Sequence, residues 1–244
     1  MDVLNKSYGS KDRDGKFDAC AGLTWYPWVG DSYDNENSLK LLVVGESHYI
    51  NGDENTSNLV NGEVVARDEW RDYTRATVRE AFVNNEWRTP MHTNTHKLFH
   101  GDQKFDKERF WSESSYYNLV QRLMDYKRKE RPSADDFVQG WKTFLTVVET
   151  LKPTHCVVIG TSAAHYFNRV MHAAGVDYDG VEKLKKVGRY LPRRARLLDG
   201  DQELTIHFVK HASKYFSWSG WRNHLGSDAP ELMDSIQSRS FTIN

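Results

Sequence analysis

Two short apolar runs, each stopped by a glycine, constrain this fold more than any other feature of the chain. Leu39-Lys40-Leu41-Leu42-Val43-Val44 ends at Gly45, and Val157-Val158-Ile159 ends at Gly160. Such runs, unlike the alternating pattern of a strand with one wet face, read as strands covered on both sides in a mostly parallel sheet. A third strand is expected at Leu204 to Val209. Helical patterns lie around and between them. Pro132-Ser133 followed by Asp135 and Asp136 marks a helix start, with a capping hydroxyl and acids in the positive first turn. Phe137, Trp141, Phe144, Leu145, Val148 and Leu151 form its apolar stripe, and Pro153 stops it. Further helices are expected at Thr74 to Phe82, at Ser162 to Ala174 and after Pro230. Another, capped by Ser112 or Ser114, is expected to run through Tyr117, Leu119, Val120, Leu123 and Met124, while 84–109 reads as irregular. Strands alternating with helices of this length imply an α/β fold with right-handed crossovers.

The 244 residues suit one domain, with no repeat and no low-complexity linker. Residues 1–22 read as a loose polar arm, and the aromatic stretch 23–33 as an ordered loop. No window reaches the roughly 20 apolar residues that cross a bilayer, and the first residues lack a signal peptide's apolar core. Cys20 and Cys156 are too few for a disulfide framework or a four-thiolate cluster. A cytoplasmic, metal-free, cofactor-free monomer is the expectation. With 33 basic and 34 acidic side chains, the net charge of −1 argues against a protein that coats nucleic acid non-specifically. A DNA binder of this composition must concentrate its cations. Lys183 to Arg196 does so, with seven basic residues and no acid, and nominates Lys185, Lys186, Arg189, Arg193, Arg194 and Arg196 as phosphate contacts. Aromatic residues make up 13% of the chain, mostly for the core, with some available to stack on a base. His92, His96 and His100 recur every four residues, but Thr93, Asn94, Thr95 and Gly101 weaken a helix there. They read as surface or DNA-facing rather than metal-binding.

In open α/β sheets, ligands bind beyond the carboxyl ends of the strands. Those ends carry Gly45-Glu46-Ser47-His48-Tyr49, Gly160-Thr161-Ser162 and Lys210-His211-Ala212-Ser213-Lys214. A carboxylate, a histidine, hydroxyls and lysines converging on one crevice form a plausible active site.

These motifs resemble the uracil-DNA glycosylase superfamily. GESHY at 45–49 is similar to the motif that ends the first strand there, and His211-Ala212-Ser213 to its later His-Pro-Ser motif. Tyr116-Tyr117-Asn118 resembles the segment whose asparagine reads the flipped base, and LKPTHCVVIGTSA at 151–163 a strand-and-glycine segment of the same fold. The likeness spans roughly 39–225, in order. It implies a three-layer α/β/α sandwich with a mostly parallel four-stranded central sheet. It departs at His48 and Ala212, where proline is usual, and at Ser47, where the uracil-specific branch carries its water-directing aspartate. Glu46 occupies the adjacent position, where another branch carries its acid.

The resemblance implies a monofunctional DNA glycosylase, a class that flips a base from the stack and hydrolyses its N-glycosidic bond. Glu46 is assigned beneath the sugar cation, His211 as donor or electrostatic stabiliser of the leaving base, and Ser47 with His48 to position water or phosphate. Asn118, Tyr49 and His48 are assigned to the base, and Ser213, Lys214 and Ser162 to flanking phosphates. One of Tyr215, Phe216, Trp218 and Trp221 is expected to wedge into the gap. The superfamily contains a bacterial antiviral member that removes α-glucosylated hydroxymethylcytosine from phage DNA. The departures at the uracil motif, with residues 51–110 building an enlarged pocket, point to that substrate class, with uracil as the alternative. Two rival readings are a serine hydrolase using Ser47 and His211, for which Gly45-Glu46-Ser47 mimics a Gly-Asp-Ser motif, and an inactive DNA-binding module. The first lacks a Gly-x-Asn-Asp segment, and Tyr49 breaks a Gly-x-Ser-x-Gly elbow.

Overall fold

A computed structural model describes residues 8–50, 57–60, 63–66, 69–199 and 202–239. In chain order its strands are β1 (Trp28–Val29), β2 (Leu41–Gly45), β3 (His48–Ile50), β4 (Ser57–Val60), β5 (Glu63–Ala66), β6 (Ser114–Asn118), β7 (Leu123–Asp125), β8 (His155–Ile159), β9 (Asp177–Lys183), β10 (Arg193–Asp199) and β11 (Gln202–Val209). The helices are α1 (Asp14–Asp18), α2 (Tyr73–Thr77) continued by a π-helical turn (Val78–Val83), α3 (Pro90–His100), α4 (Lys107–Ser112), α5 (Ala134–Leu151), α6 (Ala164–Ala174), α7 (Trp218–Asp228) and α8 (Pro230–Ser238). No helix among the described residues is long and apolar enough to cross a membrane.

The main sheet has seven strands in the order β1-β6-β2-β8-β11-β10-β9. The expected four parallel strands are its centre: β2 pairs in parallel with β6 and β8, and β8 with β11. Three antiparallel strands extend the edges, β1 on β6 and β10-β9 on β11. The four-stranded expectation therefore falls short. The seven basic residues that read as one surface run hide a strand in β10, and β1 is only two residues long.

β2 shows why the sheet is buried on both sides. Leu42 and Val44 point into a core with Trp141 and Phe144 of α5 and Phe167 of α6. Leu41 and Val43 point into a second core with Phe82, Phe99 of α3, Trp111 of α4 and Trp221 of α7. Helices thus cover both faces. α5 begins as expected: the Ser133 hydroxyl accepts from the Asp136 N–H at 3.1 Å, and Asp136 answers on the Ser133 N–H at 2.7 Å. Its buried stripe takes Val147 in place of Leu145 and Val148, which are half-buried.

Three other expectations give way. The helix expected from Ser112 or Ser114 through Met124 is instead β6 and β7, because Ser114 to Asn118 lies between β1 and β2 and all five residues are buried. The stretch 84–109, read as irregular, holds α3 and the start of α4. There the Thr89 N–H donates to His92 Nδ1 at 3.2 Å, and Asp106 accepts from the Arg109 N–H at 3.0 Å. Residues 1–7 of the expected arm lie outside the described residues, whereas 8–22 are tied down by the fully buried Phe17 of α1. Cys20 and Cys156 are buried and unbonded.

Candidate functional site

The parallel registers bring Gly45 opposite Asn118, and Val209 opposite Ile159, so four strands stop along one edge of the sheet. Beyond that edge β3 and β7 pair in a short parallel ribbon. The Leu119 N–H donates to the Gly45 carbonyl at 3.0 Å and the Val120 N–H to the Glu46 carbonyl at 2.9 Å, which fixes the turn carrying Glu46 against the one after Asn118.

Two strand-end glycines make room for the side chains above them. A Cβ at Gly45 would collide with the Asn118 Oδ1 and the Tyr116 hydroxyl. A Cβ at Gly160, whose φ of +154° suits glycine, would lie 3.4 Å from Glu46 Oε2. Asn118 therefore folds across β2, and Glu46 across the end of β8. The Tyr49 hydroxyl stands 3.4 Å from Glu46 Oε1. Asn118 is buried, and Tyr116 donates to its Oδ1 at 2.9 Å. The amide Nδ2 is left to donate outward, and Oδ1 keeps a second lone pair.

His211 arrives from β11. Burial pushes its titration down, the Glu46 charge pushes it back up, and Arg131 and Lys210 add to the lowering. The imidazole is neutral at neutral pH, half-buried, and in the field of a carboxylate. Its loop is held from three sides. Asn94 Nδ2 of α3 donates to the carbonyls of Ala212 and Ser213 at 2.9 and 3.1 Å. Lys210 donates to the Tyr215 carbonyl at 2.7 Å, and Phe216 is buried with its ring parallel to Trp221. Tyr215, between these anchors, is 81% exposed and has a φ of +64°, a left-handed conformation that costs an aromatic residue about 1–3 kcal/mol.

The remaining nominated residues divide. Ser47 Oγ is buried and has no hydrogen-bond partner among the described residues. His48 is engaged elsewhere: its Nε2 lies 2.8 Å from the Thr74 hydroxyl, with Trp25 and Tyr73 packed around the ring. Ser213 is half-buried, while Lys214 and Ser162 are exposed at the same edge. Lys185, Lys186 and Arg189 are exposed on the β9–β10 loop. That loop sits at the rim, because the Tyr190 ring lies under the Lys210 ammonium at 4.5 Å. Arg193 donates to the Thr161 carbonyl at 2.7 Å, in the turn after Gly160.

Arg194 and Arg196 depart from the single phosphate-binding surface expected of the run. Arg194 bridges Glu182 at 2.7 Å and Asp228 at 2.9 Å, and Arg196 bridges Glu203 at 3.3 Å and Asp179 at 3.7 Å. The run contains no acid, but antiparallel pairing sets Glu182 opposite Arg194 and Asp179 opposite Arg196.

His92, His96 and His100, expected at the surface, are buried on α3. Desolvation lowers His92 to about 4 and His100 to about 3, and holds His96 well below its ordinary value. Among the described residues no group of three or more His, Cys, Asp or Glu could hold a metal ion. Of the aromatic residues in the 51–110 stretch expected to enlarge the pocket, Phe82, Phe99 and Phe110 are fully buried core. Residues 51–56, 61–62 and 67–68 lie outside the described residues.

Sequence reasoning missed the roles of Tyr116, Arg131 and Asn94. Tyr116 had a signal, since residues two apart on a strand share a face. Asn94 had none, in a stretch that read as irregular. No protein-family model and no curated protein matches the sequence.

Proposed function

We propose that the protein is a monofunctional DNA glycosylase built on a uracil-DNA glycosylase-like sandwich. The observation that carries the reading is that Glu46, Asn118 and His211 lie at or just beyond the carboxyl ends of β2, β6 and β11 in the parallel centre of the sheet, with the Glu46 charge acting on His211. In this reading Glu46 lies beneath the sugar. As the bond from C1′ to the base nitrogen breaks, its electron pair leaves with the base, and the carboxylate opposes the oxocarbenium charge. Water then adds at C1′ and loses its proton to Glu46. The leaving base develops negative charge, which neutral His211 meets as a hydrogen-bond donor, backed by the cations of Lys210 and Arg131. Asn118 Nδ2 reads a base carbonyl, and Tyr49 lines the base pocket beside Glu46.

Base flipping costs a few kcal/mol of stacking and pairing. Tyr215 is the wedge in this reading, because Phe216 and Trp221 are buried and Trp218 packs against the core. Ser213, Lys214, Ser162 and Arg193 line the phosphate track, with Lys185, Lys186 and Arg189 at its rim. The protein is proposed to act on DNA as a monomer in the cytoplasm. A hypermodified cytosine of phage DNA, as in antiviral defence, is the proposed base, with uracil repair the second arm of the test. Incubation with glucosylated T-even phage DNA and with uracil-containing oligonucleotides is expected to yield abasic sites in the phage DNA. Abasic sites in the uracil substrate alone would sink the antiviral part, and none in either would sink the glycosylase reading.

A further inference from the structure

α3 carries polar groups that the proposed chemistry does not use. His92 and His96 sit one turn apart, only 3% and 8% exposed. His92 Nδ1 accepts from the Thr89 N–H at 3.2 Å, and His96 Nε2 accepts from the Trp111 indole N–H at 3.0 Å. A ring nitrogen that accepts bears no proton, so each neutral ring carries its proton on the other nitrogen. Two N–H donors follow, His92 Nε2–H and His96 Nδ1–H, and neither has a hydrogen-bond partner among the described residues. Both rings line a cavity of about 180 Å³ that Arg88, Lys97, Asp102 and Lys107 also line. One water needs roughly 10–15 Å³, so a tetrahedral oxyanion has room.

The charges of this wall do not balance. Asp102 is taken by Lys97 at 2.6 Å. Arg88 and Lys107 have no acidic partner among the described residues, and their repulsion, added to burial, lowers the Lys107 ammonium. Two cations without an acidic partner among the described residues and two ring N–H donors thus face the same space. We propose that this cavity binds a phosphate-type oxyanion, held by Arg88 and Lys107 and oriented by the ring N–H groups of His92 and His96. Such an ion would supply acceptors to both rings and relieve the repulsion between the two cations. The source is either free phosphate or a phosphodiester of bound DNA, and the chemistry of recognition is the same for both. The site is independent of the glycosylase reading.

The test is a titration of the whole protein with inorganic phosphate against chloride at equal ionic strength, followed by melting temperature and by imidazole NMR. The melting temperature is expected to rise by about 3–6 °C once phosphate is roughly tenfold above its Kd. The His92 and His96 ring resonances should move with occupancy, and their titrations should shift upward. The Arg88→Gln/Lys107→Gln variant should lose all three responses while melting no lower than the wild type in chloride. Equal melting in phosphate and chloride, with unmoved imidazole resonances in the wild-type protein, overturns the proposal, and that arm does not depend on the variant folding. Competition by phosphate against a duplex oligonucleotide, lost in the variant, assigns the anion to DNA. Phosphate binding with DNA affinity unaltered assigns it to a free ion.

Discussion

His211 and His96 are both imidazoles that burial pushes toward the neutral form, and they differ in what they face. His96, inside α3, meets the Trp111 N–H and the rings of Phe82 and Phe105. His211, where β11 stops, meets the charge of Glu46 and two cations on a half-open edge. Depressed titration alone therefore does not mark reactivity. Core packing produces it as readily as a catalytic crevice does, and the opposing carboxylate is what separates the two.

The largest expected effect breaks that difference open. Glu46→Gln should reduce base release by about 10²–10³-fold, the scale for losing one preorganised electrostatic group, with DNA affinity and melting temperature nearly unchanged. His96→Leu should do the reverse, costing stability while leaving base release within about twofold. Abasic-site formation in single turnover checks both. If Glu46→Gln stays active, the carboxylate is not what distinguishes His211.

The buried set makes its own demand on pH. His92 titrates at about 4 in the fold against an ordinary value of 6.5. Below 6.5 the unfolded chain binds a proton that the folded one refuses, so stability is full above that pH and falls as the solution is acidified toward 4. Between pH 6.5 and 5 this amounts to about 2 kcal/mol for His92. His100, at about 3, acts in the same direction. Urea unfolding of the wild type and His92→Gln at pH 7 and 5 should show the smaller acid loss in the variant. Equal losses would mean that His92 is protonated in the fold and belongs with exposed histidines.

What the sequence showed tracks how local each cause is. β2, β8 and the start of α5 were readable because their signals, an apolar run closed by glycine or a Ser-x-x-Asp cap, lie within one segment. β6 carries a helical signal, because Tyr117, Leu119, Val120, Leu123 and Met124 satisfy helical spacing equally well, and only β1 and β2 on either side decide the matter. Glu46, Asn118 and His211 could be nominated from strand-end motifs. The Tyr116 hydroxyl on Asn118, the Asn94 brace under the His211 loop and the Arg131 charge join residues far apart in the chain or in stretches read otherwise.

The basic run sharpens the same lesson with a smaller effect. Lys185, Lys186 and Arg189 are exposed at the rim, whereas Arg194 and Arg196 are spent on acids from neighbouring elements. Replacing the first three with Gln should flatten the salt dependence of DNA binding by about 0.9 for each side chain that touches a phosphate. Replacing Arg194 and Arg196 should leave that slope alone and lower the melting temperature. Binding isotherms across a salt series check this, and the opposite pattern would move the interface onto the β9–β10–β11 face.

The smallest expected effect belongs to Ser47, next to Glu46 in the chain. A buried hydroxyl with no partner among the described residues is a cost to the fold, about 1–3 kcal/mol before relaxation, and alanine removes that cost without opening a large cavity. Ser47→Ala should therefore melt at or slightly above the wild-type temperature and release base at nearly the wild-type rate. A nucleophilic serine requires the reverse, since its Oγ must hand a proton to a base, and no hydrogen bond joins Ser47 Oγ to His211 here. Loss of activity in Ser47→Ala, with Glu46→Gln unharmed, would transfer the chemistry from the carboxylate to the hydroxyl and make His211 a general base rather than a hydrogen-bond donor.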